Sequence, residues 1–437
     1  MNTNTNIKQG YKQTSLGILP QEWEVVRLGE VGDIVGGGTP DTTNSAFWNG
    51  EIAWISSSDI DEESIYKISI RRFINEFAIK NSATNLIPAK SVLIISRVGV
   101  GKVAVNETPL CTSQDTQSLI LKNAHYIFMA YLIKHNIKTL LQYNQGTSIQ
   151  GFTKTELKSL QIPLPPLAEQ EKIAQILGVW DKGISVLKSL IEVKTKRKKA
   201  LMQRLLTPPC ESPTPSLRAS ETSAAIHNKS VDCHDLTASN LAMTEKNSKA
   251  KQSLRFAEFT DKWQEMRLGD ICEITTGSLN ANAMVESGKF AFFTCAREVY
   301  AIDNYAFDTE ALLVSGNGAN VGYIHYYKGK FNAYQRTYVL DKFSCDILFV
   351  KFFLDKYLKK RIAQEKNEGN TPYIVLSTLQ DMKIVLPNSL AEQKKIAQVL
   401  SACDKEIELL KSKFQCLKTQ KKGLMQRLLN GEVRVKC

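Results

Sequence analysis

The sequence predicts an α+β chain in which two α/β globules are joined by two long helices. Three observations carry that prediction: a long helical segment that occurs twice, a matched start ahead of each globule, and middles that alternate short β-branched runs with Gly-rich turns. In order, residues 1–20 read as an N-terminal tail and 21–166 as the first globule. Residues 167–207 form the first helical region and 208–253 a flexible linker. The second globule follows at 254–387, and the second helical region at 388–432.

The repeat is the strongest signal. LAEQEKIAQILGVWDKGISVLKSLIEVKTKRKKALMQRLLT, from Leu167, aligns without a gap on LAEQKKIAQVLSACDKEIELLKSKFQCLKTQKKGLMQRLLN, from Leu390, with 23 identities in 41 positions. Both copies lack proline, and each follows a proline-containing stop, IPLPP at 162–166 and IVLPNS at 384–389, as helix starts do. Positions 173, 177, 180, 184, 187, 191, 194, 198, 201 and 205 step alternately by four and three. So do 396, 400, 403, 407, 410, 414, 417, 421, 424 and 428. That is a heptad seam interrupted by lysines, and it predicts that the two helices pack together. At 1.5 Å per residue each is a rod of about 60 Å.

The globules begin alike, Trp23-Glu-Val-Val-Arg-Leu-Gly29 against Trp263-Gln-Glu-Met-Arg-Leu-Gly269, but their middles hardly align. The linker holds prolines 208, 209, 213 and 215 in a polar background, a composition that cannot bury a core.

Composition limits function. The net charge of +12 and a pI near 9.1 point to a polyanion, nucleic acid before an anionic membrane. No apolar run reaches the ~18 residues of a spanning helix. The N-terminal MNTNTNIKQGYKQTS has no apolar core, and nine scattered cysteines form no CxxC. A reduced, cytoplasmic protein without structural zinc is expected.

Further motifs carry a family resemblance. They are WEVVRLGEVGDIVGGGTP at 23–40, FWNGEIAWISSSDI at 47–60, ISRVGVGKVAV at 95–105, PLPPLAEQEKIAQIL at 163–177, LRFAEFTDKWQEMRLGDI at 254–271 and LMQRLLNGEV at 424–433. With the duplicated helix, the chain resembles the specificity (S) subunit of type I restriction-modification systems over nearly its whole length. The resemblance implies two target recognition domains, each reading half of a bipartite DNA target. It implies two long antiparallel coiled-coil helices with pseudo-twofold symmetry that join the domains and dock two methyltransferase (M) subunits. S-adenosylmethionine, ATP and magnesium are then expected on the M and restriction (R) subunits, none on this chain, which would be non-catalytic. Unlike middles predict an asymmetric target in double-stranded DNA, with half-sites roughly one duplex turn, ~34 Å, apart. The connection of about 45 residues from Thr207 to Leu254 is longer than the family requires, as a surface insertion can be.

Rival chemistry finds little support. Asn370-Thr-Pro-Tyr373 differs from an amino-methyltransferase box at its second position, and Gly316-Asn-Gly-Ala-Asn-Val-Gly322 has the wrong spacing for a dinucleotide loop. Gly99-Val-Gly-Lys102 lacks Walker spacing, and Asp59-Ile-Asp-Glu-Glu63 reads as a solvated loop. A coiled-coil scaffold without sequence-specific DNA binding is the remaining alternative.

Base and phosphate contacts need polar side chains on loops. The candidates are Thr39, Asn44, Ser56, Ser57, Ser58, Arg97, Gln145 and Gln150 in the first domain. In the second they are Arg297, Asn317, Asn320, Gln335, Arg336 and Tyr373. Trp48 and Trp54 read as core. M-docking candidates are Glu169, Gln170 and Gln175 with Glu392, Gln393 and Gln398, matched where the seam does not require it. The alternative for these is capping at the helix N-terminus. Residues 188–204 and 411–427 each carry a net +6, the whole excess of the chain. The basicity therefore sits on the C-terminal halves of the helices, where it suits the dipole and would lie near a DNA path.

Overall fold

The computed structural model describes residues 9–142, 151–209, 253–365 and 373–436. The chain divides into two compact units, Met1–Leu190 with Leu410–Cys437, and Ile191–Leu409. Four helices exceed ten residues among the described residues: α1 (Tyr126–Gln142), α2 (Leu167–Leu205), α3 (Ile347–Glu365) and α4 (Leu390–Leu429). Each unit contains one globule, the N-terminal half of one repeated helix and the C-terminal half of the other. None of these helices is long and apolar enough to cross a membrane.

The repeated helices start as their sequences dictate. Pro165 and Pro166 cannot continue the preceding strand ladder, and the Pro166 carbonyl accepts the Glu169 N–H at 2.9 Å, opening the first turn of α2. Pro208 and Pro209 follow its last turn. Every seam position predicted for α2 and α4 is buried or half-buried, while the positions between them are mostly exposed. Within the second unit Lys194 pairs with Glu406 at 2.6 Å and Lys198 with Asp404 at 2.5 Å. One residue number rises as the other falls, so the pairing is antiparallel. In the first unit Lys421 pairs with Asp181 at 2.5 Å, the same contact in repeat coordinates. The lysines that interrupt the apolar seam are thus ion-paired within it.

In the first unit, one four-stranded sheet orders Gly32–Gly36, Thr116–Leu121, Val92–Ile95 and Val103–Val105. A second orders Arg72–Ile74, Ile52–Ile55, Leu110–Thr112 and Leu86–Ile87. In the second unit a single six-stranded sheet orders Glu273–Thr276, Thr337–Asp341, Phe307–Ser315, Ile324–Ala333, Phe290–Phe293 and Tyr300–Ile302. The long strand Ile324–Ala333 does alone what Val103–Val105 and Leu110–Thr112 do together. It pairs antiparallel with Phe307–Ser315 over residues 324–331 and parallel with Phe290–Phe293 over residues 331–333. Residues 106–109 interrupt the ladder in the first unit, where Pro109 has no N–H to donate. Gly329 at φ 126° lets the second unit's strand bend and continue.

Each globule closes on a two-stranded ladder, Glu24–Arg27 with Gln161–Leu164 and Trp263–Arg267 with Lys383–Pro387. The matched Arg-Leu-Gly turn follows. Leu28 N–H donates to the Leu160 carbonyl, and Leu268 N–H to the Met382 carbonyl, both at 2.9 Å. The two cores are built alike. Trp23, Leu28, Phe128 and Tyr131 pack with Ile173 and Leu177 from α2 and with Leu428 and Leu429 from α4. Leu268, Phe349 and Phe353 pack with Leu205 and Leu206 and with Ile396 and Leu400. Truncating any of the fully buried aliphatic residues to alanine costs about 2–5 kcal/mol.

The matched acid and amide of each LAEQ motif explain why it is duplicated. Glu169 is buried and accepts from Trp23 Nε1 at 2.9 Å and from Arg434 Nε at 2.7 Å. Glu392, with no exposed surface, accepts from Arg255 Nε at 2.9 Å and from Trp263 Nε1 at 3.4 Å. Gln170 accepts the His125 N–H and donates to the Pro165 carbonyl, at 2.9 and 2.8 Å. Gln393 repeats this with the Asp346 N–H and the Pro387 carbonyl, both at 2.8 Å. These four side chains latch each repeated helix to its own globule, so they present nothing to a docking partner. That corrects the sequence expectation for Glu169, Gln170, Glu392 and Gln393. Gln175 and Gln398 are exposed.

The chain segments after the two helices return alike. Leu254 N–H donates to the Arg204 carbonyl and Val433 N–H to the Arg427 carbonyl, at 3.1 and 3.2 Å. One closure spans the whole linker and the other only six residues, and each delivers an arginine, Arg255 or Arg434, to the latch glutamate. Linker residues 210–252 lie outside the described residues.

Candidate nucleic-acid interface

Although their sequences hardly align, the two globules display their loops on one hydrogen-bonded frame. In the first, Gly37 N–H donates to the Thr116 carbonyl at 3.0 Å, Ser113 N–H to Ile55 at 2.9 Å, Ser96 N–H to Asp115 at 2.8 Å and Phe152 N–H to Ser96 at 3.1 Å. In the second, Gly277 N–H donates to Thr337 at 3.3 Å, Tyr334 N–H to Phe293 at 2.9 Å, Gly316 N–H to Arg336 at 2.8 Å and Ile374 N–H to Gly316 at 2.7 Å. A Cβ on Gly37 or Gly277 would lie 2.2 or 1.9 Å from the Ser113 or Ala333 carbonyl oxygen, so the close approach demands glycine. Gly101 and Gly322 occupy the same position of the next loop with φ 93° and 76°.

This frame gathers the second domain's candidates. Arg297 donates from Nε to Asn320 Oδ1 at 3.3 Å and lies over the Tyr323 ring at 5.6 Å; Asn320 donates to the Cys295 carbonyl at 3.2 Å. Asn317 forms a bridge with Tyr373. Gln335 donates to Asn280 Oδ1 at 3.2 Å. Gly316, Gln335, Arg336, Tyr338 and Ile374 line an open cleft of about 300 Å³. Arg297, Gln335, Arg336 and Tyr373 are exposed. The glycine-rich stretch 316–322 is the turn of this loop. Asn370, Thr371 and Pro372 lie outside the described residues.

In the first domain the gathering is less complete. Thr39 donates to Gln114 Oε1. Lys102 Nζ donates to the Ser57 carbonyl at 3.1 Å. Arg97 is exposed on a cleft of about 600 Å³ that it lines with Lys102, Lys134 and Glu62. Burial first, and then Lys421, pull the Lys134 ammonium below its usual range. Other candidates are engaged locally. Asn44 caps a short turn by accepting the Ala46 N–H at 3.1 Å. Ser56 and Ser58 share a hydrogen bond at 2.9 Å, and Ser56 also accepts from Arg72 at 2.8 Å. Gln145 and Gln150 lie outside the described residues.

Asp59 is not in a solvated loop as its sequence context suggests. It is buried and paired with Arg72, which also lies over Trp54 at 4.5 Å. Burial works to raise its carboxyl, but the Ser56 N–H and Arg72 outweigh it and hold Asp59 below the usual carboxylate range. Trp54 is buried and half-buried Trp48 packs edge-on against it, as expected of core residues.

The frame also exposes residues that the sequence reading passed over. Gln114 stands where Gln335 stands, and Asp115 where Arg336 stands. Gln-Asp-Thr at 114–116 and Gln-Arg-Thr at 335–337 both open a central strand, and that shared pattern is the signal for them.

The family model described as type I restriction modification DNA specificity domain matches twice, over residues 20–195 and 260–419. The chain belongs to the type I restriction-modification DNA specificity family. Its relatives include the MjaIX specificity subunit of Methanocaldococcus jannaschii, 25% identical over 97% of this chain and 96% of that one. The EcoDI specificity subunit of Escherichia coli is 38% identical, over 39% of this chain and 38% of its own length. In structure, the S subunit from M. genitalium superposes with a TM-score of 0.60 at 18% identity, covering 98% of both chains. The duplicated match puts one specificity module in each half of the chain, as the repeated frame does. The two frames are therefore two specificity modules of one ancestry whose display loops have diverged.

Proposed function

We infer that this chain is the DNA-sequence-reading subunit of a type I restriction-modification complex. The observation that carries the reading is the repeated frame, one backbone scaffold that holds two different sets of exposed polar side chains. Such a protein reads two unlike half-sites. Arg97 and Lys102 supply phosphate contacts in the first domain, and Arg297 in the second, while the turns at 114–115 and 335–336 face base edges. The chain carries no catalytic step itself. Adenine methylation with S-adenosylmethionine belongs to two M subunits, and ATP- and magnesium-dependent restriction to R subunits. The M subunits dock on the outer helix faces, where Gln175 and Gln398 are exposed and Val179 and Val186 are 72% and 62% exposed.

The test is to map methylated adenines on random-sequence DNA exposed to the assembled methyltransferase. A bipartite target with unlike halves is expected. A perfect palindrome, a single uninterrupted site, or sequence-independent binding would overturn the reading, the last in favour of a scaffold. Gln175→Arg combined with Gln398→Arg is expected to weaken assembly with the M subunits while leaving DNA binding intact; unchanged assembly would remove these two from the docking face.

A further inference from the structure

We propose that residues 114–115 and 335–336 are the paired base readers of the two domains. Gln114 and Gln335 read the same base, adenine, in both half-sites, while Asp115 reads cytosine where Arg336 reads guanine. The proposal rests on the DNA-reading function inferred above and deepens it to single residues.

The carbonyl of residue 115 accepts from Ser96 N–H and that of 336 from Gly316 N–H. The two flanking residues close the same turn, Thr116 N–H to the Ser113 carbonyl at 3.1 Å and Thr337 N–H to Tyr334 at 2.8 Å. Four backbone hydrogen bonds and one register thus fix both turns, so their side chains leave the frame from equivalent points. Thr116 and Thr337 are buried at the base of each turn, while Gln114, Gln335 and Arg336 are exposed and Asp115 is half-buried.

The side chains then decide the chemistry. Both turns offer glutamine first; Gln114 Oε1 accepts from Thr39 and Gln335 Nε2 donates to Asn280, contacts that give way when the amide takes up adenine, its bidentate partner. The second residue reverses in charge. Neither the Asp115 carboxylate nor the Arg336 guanidinium has an ion-pair or hydrogen-bond partner among the described residues. An unpaired carboxylate on a DNA-facing loop is repelled by phosphates, and a base-edge donor is what offsets that cost. The cytosine amino group is such a donor, whereas the paired guanine acceptors suit arginine's two donors. Phosphate binding would place a basic residue at both positions, and the acid at 115 argues against it.

The experiment maps methylated motifs for the assembled methyltransferase carrying wild-type chain, Asp115→Arg, Asp115→Asn or Arg336→Asp. Wild type is expected to require cytosine at one position of one half and guanine at the corresponding position of the other, each half written in its own 5′ to 3′ direction. Asp115→Arg is expected to switch that position of the first half to guanine, leaving the second half unchanged. Arg336→Asp is expected to do the reverse. Asp115→Asn, which keeps the side-chain shape, is expected to lose roughly ten- to a hundredfold of the discrimination at that position only. Motifs identical to wild type in all three variants, or an even loss of methylation with the motif preserved, overturn the proposal while leaving the bipartite reading intact. A wild-type motif that is not bipartite overturns both.

Discussion

The two recognition domains share a frame and differ in what they hang from it. Where the first has two four-stranded sheets parted at residues 106–109, the second has one sheet of six strands. The display turns nevertheless keep the same backbone hydrogen bonds, and the helix latches the same side-chain hydrogen bonds. The comparison teaches that backbone partners persist while exposed side chains are free to change. The helices show the opposite behaviour. Their sequences stay alike where they serve the latch, most of the apolar seam and the matched pair of Lys198 with Asp404 and Lys421 with Asp181.

The largest expected effect tests the latch. Glu392→Ala leaves Arg255 and Trp263 without their buried acceptor, and Glu169→Ala does the same to Arg434 and Trp23. Because each arginine keeps some solvent contact, each substitution is expected to cost about 3 kcal/mol, the low end for breaking a buried pair, measured by denaturant unfolding. If one cost far less than the other, the latches would be equivalent in geometry only.

The positive-φ glycines come next. Alanine at either costs about 1 kcal/mol in backbone strain. At Gly322 the new Cβ would also lie 2.7 Å from Ile362 Cδ1, whereas at Gly101 the nearest atom, Ile137 Cγ1, is 3.4 Å away. Gly322→Ala is therefore expected to lower Tm by more than Gly101→Ala, and equal shifts would break the comparison.

A smaller difference is expected at the equivalent ion pairs. Asp181 accepts from the Tyr131 hydroxyl at 2.5 Å as well as from Lys421 and keeps 17% of its side chain exposed, against 44% for Asp404. Burial, then the Asp181 charge, push the Tyr131 phenol far above its usual range, so it stays a donor. Asp181→Asn should cost about 1–2 kcal/mol and Asp404→Asn under about 0.5 kcal/mol.

The smallest effect concerns acid. Asp59 is held below its ordinary value, so its contribution is complete above that value and is lost as pH falls through the lower, folded one. Asp59→Asn is expected to lower stability at neutral pH by the lost pairing with Arg72 and to flatten the acid side of the stability profile below about pH 4, where the wild-type chain loses the same contribution. An unchanged acid limb would show that Asp59 does not drive it.

Much of the fold was legible in the sequence. Heptad spacing located the seam of both helices, and even its lysines are explained by Glu406, Asp404 and Asp181 across it. Those pairs also revise the charge reading. Lys194, Lys198, Lys418 and Lys421 are engaged with acids, and the exposed remainder includes Lys196, Arg197, Lys199, Lys411, Lys413 and Lys422. The candidate site was legible in part. Arg97, Gln335 and Arg336 stand out as exposed polar residues, but Asn44 and Ser56 are equally polar and are used up by local turns.

By itself the sequence determined the repeat, the helices and their seam, because helical periodicity is a local property written at every third or fourth residue. Only the tertiary structure decided what the matched Glu-Gln pair is for and which loop residues share a position. Both depend on partners far away in the chain: Arg255 and Arg434 for the latch glutamates, Ser96 and Gly316 for the display turns. Such partners leave no spacing for a sequence to show.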